Sequence, residues 1–275
     1  MCRTQSSIRD EDVCVSLKNI PPNEQWVLEY FFRQLLLRDG GAYVLNGTKP
    51  AALGDFGPPS LREVPFFGWR FFRTNSLLKK GCETWKKYQH LFPHGNYTIL
   101  CLEDQKSNGC HIALINNKQF ICIIEENIED FRAVLGSKMS ASSLLEGLAK
   151  KEQTLYQLLQ DHSGLLGIIL GYGKHNASLF YQRALIENQI NTCQFAPKKF
   201  DLIEAKFNAL NVKLQPVNQT KPSKLLFALS PAFIFDPHHP ETQKLLTQYT
   251  RQKKEFTTAY GRGNFLETTL RNLQG

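Results

Sequence analysis

Residues 97–124 read YTILCLEDQKSNGCHIALINNKQFICII, and this stretch decides the fold class. Three runs in it, Tyr97–Leu102, Cys110–Ile115 and Gln119–Ile124, are apolar and rich in β-branched side chains, as strands are. Asn116-Asn117 between the last two fits a two-residue hairpin turn, because Asn tolerates positive φ. The stretch therefore predicts a central antiparallel meander of at least three strands. Both faces of these strands are apolar, so the sheet should be covered on both sides. The cover has to come from the helical sequence that flanks it, and the expected class is α+β with helices packed on the faces of the sheet.

Upstream, Asn23 can cap a helix from Glu24 whose apolar face includes Trp26, Val27, Tyr30, Phe31 and Leu35-Leu36-Leu37. Asp39-Gly40-Gly41 ends it. Ala42–Leu45 reads as a short strand, and residues 48–65, with four prolines, as loop. Ser76–Phe92 reads as a helix stopped by Pro93. Downstream, Asn127–Leu135 is helical. Ser143 with Glu146 forms a capping-box pattern for a helix reaching about Gln160, with Leu145, Leu148, Leu155 and Leu159 on one side. Residues 194–223 read as loop with a strand at Val212–Leu214, and Leu225–Phe235 as a strand pair or a broken strand. Pro240 suits the first turn of a long helix, where its missing N–H costs nothing, and Asn264 caps a final one. The organisation expected is a flexible polar lead over residues 1–20 and one α+β domain over 21–275, with a weak seam near 194–223.

Composition places the chain among ordinary globular proteins: 275 residues, 42% hydrophobic and 21% charged. That apolar content excludes a disordered chain. No apolar run approaches the roughly 20 residues of a bilayer-spanning helix. Seven cysteines at 2, 14, 82, 101, 110, 122 and 193, an odd number without a C-x-x-C pair, argue against a disulfide framework or a four-thiolate zinc site. Reduced thiols suit the cytoplasm, and Cys101, Cys110 and Cys122 are all expected to be reduced. The alternative is an envelope lipoprotein anchored through Cys2, the residue left first if a signal peptide were removed ahead of it. The net charge of +8 is uneven, since residues 195–275 hold 12 basic against 6 acidic side chains. That region can attract a protein partner or an anionic ligand, and equally can be a solvated basic face. Nucleic acid is not the expected partner.

Three segments could carry chemistry. The first is GLLGIILGYGKHNASLFYQR, residues 164–183, where an apolar run enters Gly171-Tyr172-Gly173-Lys174 and then a helix. A glycine-rich turn opening a helix can bind phosphate through outward N–H groups, with Gly171, Gly173, Lys174 and Asn176 around it and Lys49 as a further cation. The pattern has neither the third glycine of a dinucleotide fingerprint nor the ending of a P-loop. A tight turn, or one continuous helix whose glycines allow close packing, explains the same residues. The second is the thiols and imidazoles of the sheet. The expected hairpin sets His111 opposite Cys122, a pairing that can make a reactive thiolate or two core side chains. His238-His239 reads as a turn before a helix. The third is FFGWRFFR, residues 66–73, whose Phe67, Trp69, Arg70, Phe71 and Arg73 could form an interaction surface and otherwise belong to the core. No catalytic nucleophile motif and no acidic metal cluster occurs, which points away from an enzyme; neither a cofactor nor a metal is expected.

Three stretches, FFRQLLLRDGGAYVLNGTKP (Phe31–Pro50), LLGIILGYGKHNASLFYQR (Leu165–Arg183) and NFLETTLRNL (Asn264–Leu273), together resemble a group of uncharacterised proteins from Chlamydia-like intracellular bacteria. The resemblance implies a bacterial origin and a host-associated life, with export for some members. It implies no activity and no catalytic residue. The expected function is therefore a non-enzymatic binding or interaction protein; the alternative is an enzyme or ligand-binding domain for a phosphorylated small molecule at Gly171–Asn176.

Overall fold

The structure, a computed structural model, describes residues 13, 15–45, 47–56, 68–104, 109–150, 153–192, 197–216, 233–261 and 263–275. It is an α+β fold around a three-stranded antiparallel sheet in the order β1-β3-β2. Strands β2 (Tyr97–Asp104) and β3 (Gly109–Asn116) form the hairpin that the apolar runs predict, with Ile99 opposite Leu114 and Cys101 opposite Ile112.

The third strand is not Gln119–Ile124. It is β1, Ala51–Phe56, from the segment expected to be loop, and it runs antiparallel to the other edge of β3 from Ala51↔Ile115 to Phe56↔Cys110. Gln119–Ile124 lies instead in a helix, Asn117–Glu126, because Asn116 caps rather than turns: its side chain accepts the N–H of Gln119. Phe120 and Ile124, one turn apart, are both buried, so the run has a helical face. Cys122 therefore never meets His111. It is exposed and donates to Glu126 one turn on, while His111 stands between Leu102 and Asp55 in the sheet.

Alternation along the strands divides the core in two. Ile99, Cys101, Cys110, Ile112 and Leu114 face one apolar cluster, and Leu100, Ala113 and Ile115 face the other. The first is covered by α1 (Pro22–Arg33) with its π-helical continuation Gln34–Arg38, α2 (Gly41–Leu45, expected as a strand), and α3 (Gly68–Tyr88). Two later helices, α11 (Pro240–Tyr260) and α12 (Phe265–Gln274), pack on the same side. Trp85 of α3 is its largest buried side chain, set edge-on to Phe32 at 5.2 Å. The second cluster is covered by α4 (Asn117–Glu126), α5 (Ile128–Leu135), α6 (Ala141–Ala149), α7 (Leu155–Leu158) and α8 (Ser163–Ile169).

Other boundaries also move. Part of the expected polar lead joins the globule, since Val13, Leu17 and Ile20 are buried in the first cluster. Ser140, not Ser143, caps α6, which stops at Ala149, and Thr154 caps a separate α7, so the expected single helix to Gln160 is two. Residues 197–213, expected as loop, form α10 (Pro197–Lys213), with proline at the position that tolerates it best. No strand runs over 212–214; the short pair is β4 (Gln215–Pro216) with β5 (Ile234–Phe235), and the rest of 225–235 up to residue 232 lies outside the described residues. Among the described residues no helix is long and apolar enough to cross a membrane.

Candidate functional site

The glycine-rich segment is a joint between two helices. Helix α8 ends at Ile169, and α9 (Lys174–Thr192) begins after Gly171 and Gly173, at φ +72 and +84. Those angles suit glycine and strain other residues. The continuous helix is thereby ruled out, and the turn that a phosphate site would need is present.

Two N–H groups at the helix N-terminus are already satisfied from within the chain. The Glu241 carboxylate, in the first turn of α11, accepts the N–H of Lys174 at 2.9 Å and that of His175 at 2.9 Å. A carboxylate at a helix N-terminus completes the orphan amides and complements the helix dipole. A Cβ on Gly173 would stand 2.7 Å from Glu241 Cδ, so the glycine makes room for this carboxylate.

Asn176, expected around a phosphate, turns inward instead. It is buried in the first turn of α9 and holds the joint together: Nδ2 donates to the Tyr172 carbonyl, and Oδ1 accepts from the Asp236 N–H and the Thr242 hydroxyl. Asp236 accepts the His238 N–H and pairs with His175 Nε2 at 3.3 Å; the backbone bond from His238 first, then His175, holds its carboxyl below its ordinary pKa. The His175 and His239 rings stack at 3.7 Å.

The two lysines part company. Lys174 Nζ turns outward to Asp130 at 2.5 Å. Lys49 is 2% exposed and runs inward past Gly171, its Cγ 3.3 Å from where a Cβ there would stand. Its ammonium lies 5.5 Å from the centre of the Tyr172 ring. Burial lowers its pKa to about 8, partly opposed by the nearby Asp39 charge. Tyr249 donates to the Gly171 carbonyl at 2.5 Å and packs edge-on to Tyr43. Burial raises the pKa of Tyr172 to about 12 and that of Tyr249 further. The structure thus brings Lys49, Gly171, Gly173 and Asn176 together and leaves Lys174 on the outside.

Glu241, Asp236 and Thr242 are the residues that sequence reasoning missed here. The available signal was Pro240-Glu241, an acid in the first turn of a helix, but nothing local ties it to a turn 67 residues earlier. Among the described residues no group of three or more His, Cys, Asp or Glu side chains could hold a metal ion. Phe67 and Cys2 lie outside the described residues, as do the side chains of Trp69, Arg70, Phe71 and Arg73, whose backbone belongs to α3. Comparison with family models, curated proteins and solved structures finds no match to the chain.

Proposed function

We propose that the protein is a non-enzymatic interaction protein of a host-associated bacterium, and that it engages a protein partner through the outer face of α10. The observation that carries this reading is the two-sided character of that helix. Ile203, Phe207, Leu210 and Leu214, spaced as one helical stripe, are its less exposed side, with Ile203 and Leu214 buried. Leu202, Lys206, Ala209 and Lys213 repeat the spacing on a second stripe, and all four are exposed, with Val212 beside it at 83%. Leu202 is itself 62% exposed, and the adjacent α9 adds exposed Phe180 and Leu185. Apolar side chains interleaved with lysines on an accessible helix suit an acidic partner with an apolar surface. Glu241 argues against the phosphate reading, since a phosphate would have to displace an internal carboxylate held by two N–H bonds.

A photoreactive residue at position 202 should capture one discrete adduct in the producing cell, and K206E/K213E should abolish it. No adduct, or a smear insensitive to that charge reversal, would contradict the proposal. In parallel, a thermal-shift screen with nucleotides and sugar phosphates should leave the midpoint unmoved. A rise that E241A enhances would favour the small-molecule alternative, because a ligand binding only the folded state stabilises it by mass action.

A further inference from the structure

Three of the cysteines converge on one spot in the first apolar cluster. Cys82 comes from the middle of α3, while Cys101 and Cys110 come from β2 and β3 and share a face of the sheet. Their exposures are 2%, 5% and 4%. Cys82 Sγ stands 3.2 Å from Cys110 Sγ, and Cys101 lies near enough to act on the Cys82 thiol. None of the three is in a disulfide. A side chain of this size in a core is ordinarily a filler. Here the two sulfurs touch across the contact between a helix and the sheet, and only a small further approach separates them from the roughly 2.05 Å of a covalent bond.

We propose that Cys82 and Cys110 are an intramolecular oxidation site, closing to a disulfide that ties α3 to β3. The step is a two-electron oxidation. Each thiol loses its proton, an S–S bond forms, and two electrons pass to an external oxidant: a small-molecule disulfide, which leaves as two thiols, or a diazene, which leaves as the hydrazine. In exchange with a disulfide, one thiolate attacks the oxidant's sulfur and expels a thiol; the second thiolate then attacks the mixed disulfide and expels the other. Access comes from the end of the sheet. Cys110 is the second residue of β3, where a ladder frays at lower cost than the strand centre. Hydrogen bonds with Cys101 and Cys110, then burial, raise the pKa of the Cys82 thiol, so closure is slow at neutral pH and accelerates with alkalinity. Cys101 is the third thiol of the group.

The test treats the full chain with diamide, a diazene oxidant, and maps disulfides by mass spectrometry after digestion. The expected product is a linked peptide pair containing Cys82 and Cys110, two hydrogen masses lighter than the free pair. It should form within the monomer about tenfold faster per pH unit between roughly pH 7 and 9. The oxidised protein should melt at a higher temperature and return to its starting midpoint on reduction, because a cross-link narrows the unfolded ensemble. C101A should retain the link and C82A should lose it. The mapping on the unsubstituted chain decides the matter even if C82A folds poorly. Absence of the link under conditions that oxidise exposed Cys122 would overturn the proposal. So would a dominant pairing of Cys101, or a linked product that melts lower than the reduced protein.

Discussion

Replacing Gly173 by alanine should destabilise the protein by about 3 kcal/mol and, at the same time, uncouple α11 from α9. Two costs act together. A non-glycine residue at φ +84 is strained by about 1 kcal/mol, and the new Cβ would stand 2.7 Å from Glu241 Cδ and 2.9 Å from Leu245 Cδ1. The carboxylate must leave, and the N–H groups of Lys174 and His175 lose their acceptor. Losing such a cap costs about 2 kcal/mol. E241A should remove the same two bonds directly, at about 2 kcal/mol. The double variant then decides whether the two residues act as a unit. Once Glu241 is gone, G173A has no carboxylate to expel, so the pair should cost about 3 kcal/mol rather than the sum of the singles. Urea denaturation of the four proteins measures this. Strict additivity would mean that Glu241 does not hold the joint.

The second large effect is on pH dependence. Lys49 is buried, and its pKa falls to about 8 from 10.5. The unfolded chain keeps the proton up to about pH 10.5 and the folded chain only up to about 8, so between those values the unfolded state binds more protons and stability rises with pH. Below about pH 8 the folded protein carries the full cost of the buried ammonium, on the order of 3 kcal/mol. K49M removes the charge while keeping much of the side-chain volume. Its stability relative to the unsubstituted protein should be greatest near neutral pH and should fall by about 3 kcal/mol toward pH 10. The other titratable groups are the same in both proteins and cancel in the difference. Chemical denaturation at about pH 7 and about pH 10 gives the comparison, and a difference that does not change with pH would refute it.

The sheet shows how much of this architecture could be read from sequence. Tyr97–Leu102 and Cys110–Ile115 were legible because they are continuous apolar runs that pair locally. Gln119–Ile124 has the same composition and is a helix, since a short apolar run has no period of its own and the Asn116 cap decides it. Ala51–Phe56 was illegible as a strand because Ala, Gly and Asp are poor strand formers; it is one only because β3 offers an open edge. Pro197–Lys213 was obscured by Asn and Lys residues on its exposed side, although Ile203, Phe207, Leu210 and Leu214 carry the helical spacing.

Part of the joint was legible too. The turn at Gly171 and Gly173 and the helix after it follow from residue types, whereas Lys49, named only as a further cation, comes beside the turn by tertiary packing. The internal anion of the joint does not follow from residue types either, because Glu241 arrives from a distant helix by tertiary packing. The thiol cluster is hidden for the same reason. Strand alternation could have put Cys101 and Cys110 on one face, but Cys82 reaches them only through the docking of α3.

The strand order also sets a sequence of events in time. β2 and β3 are neighbours in the chain, so their hairpin can close early, at small entropic cost. β1 pairs with the other edge of β3 from beyond the whole of α3, a far longer closure. A chain that has made the hairpin but not yet recruited β1 exposes the backbone of β3 along one side, the arrangement in which partly folded molecules find one another. Ile99→Val in the hairpin should therefore slow folding, whereas Ala52→Gly in β1 should mainly hasten unfolding, as stopped-flow kinetics can resolve. If Ala52→Gly slowed folding as much as Ile99→Val, the late arrival of β1 would be wrong. If it comes last, this unpromising strand of Ala, Gly and Asp is what closes the edge of β3 against self-association during biosynthesis.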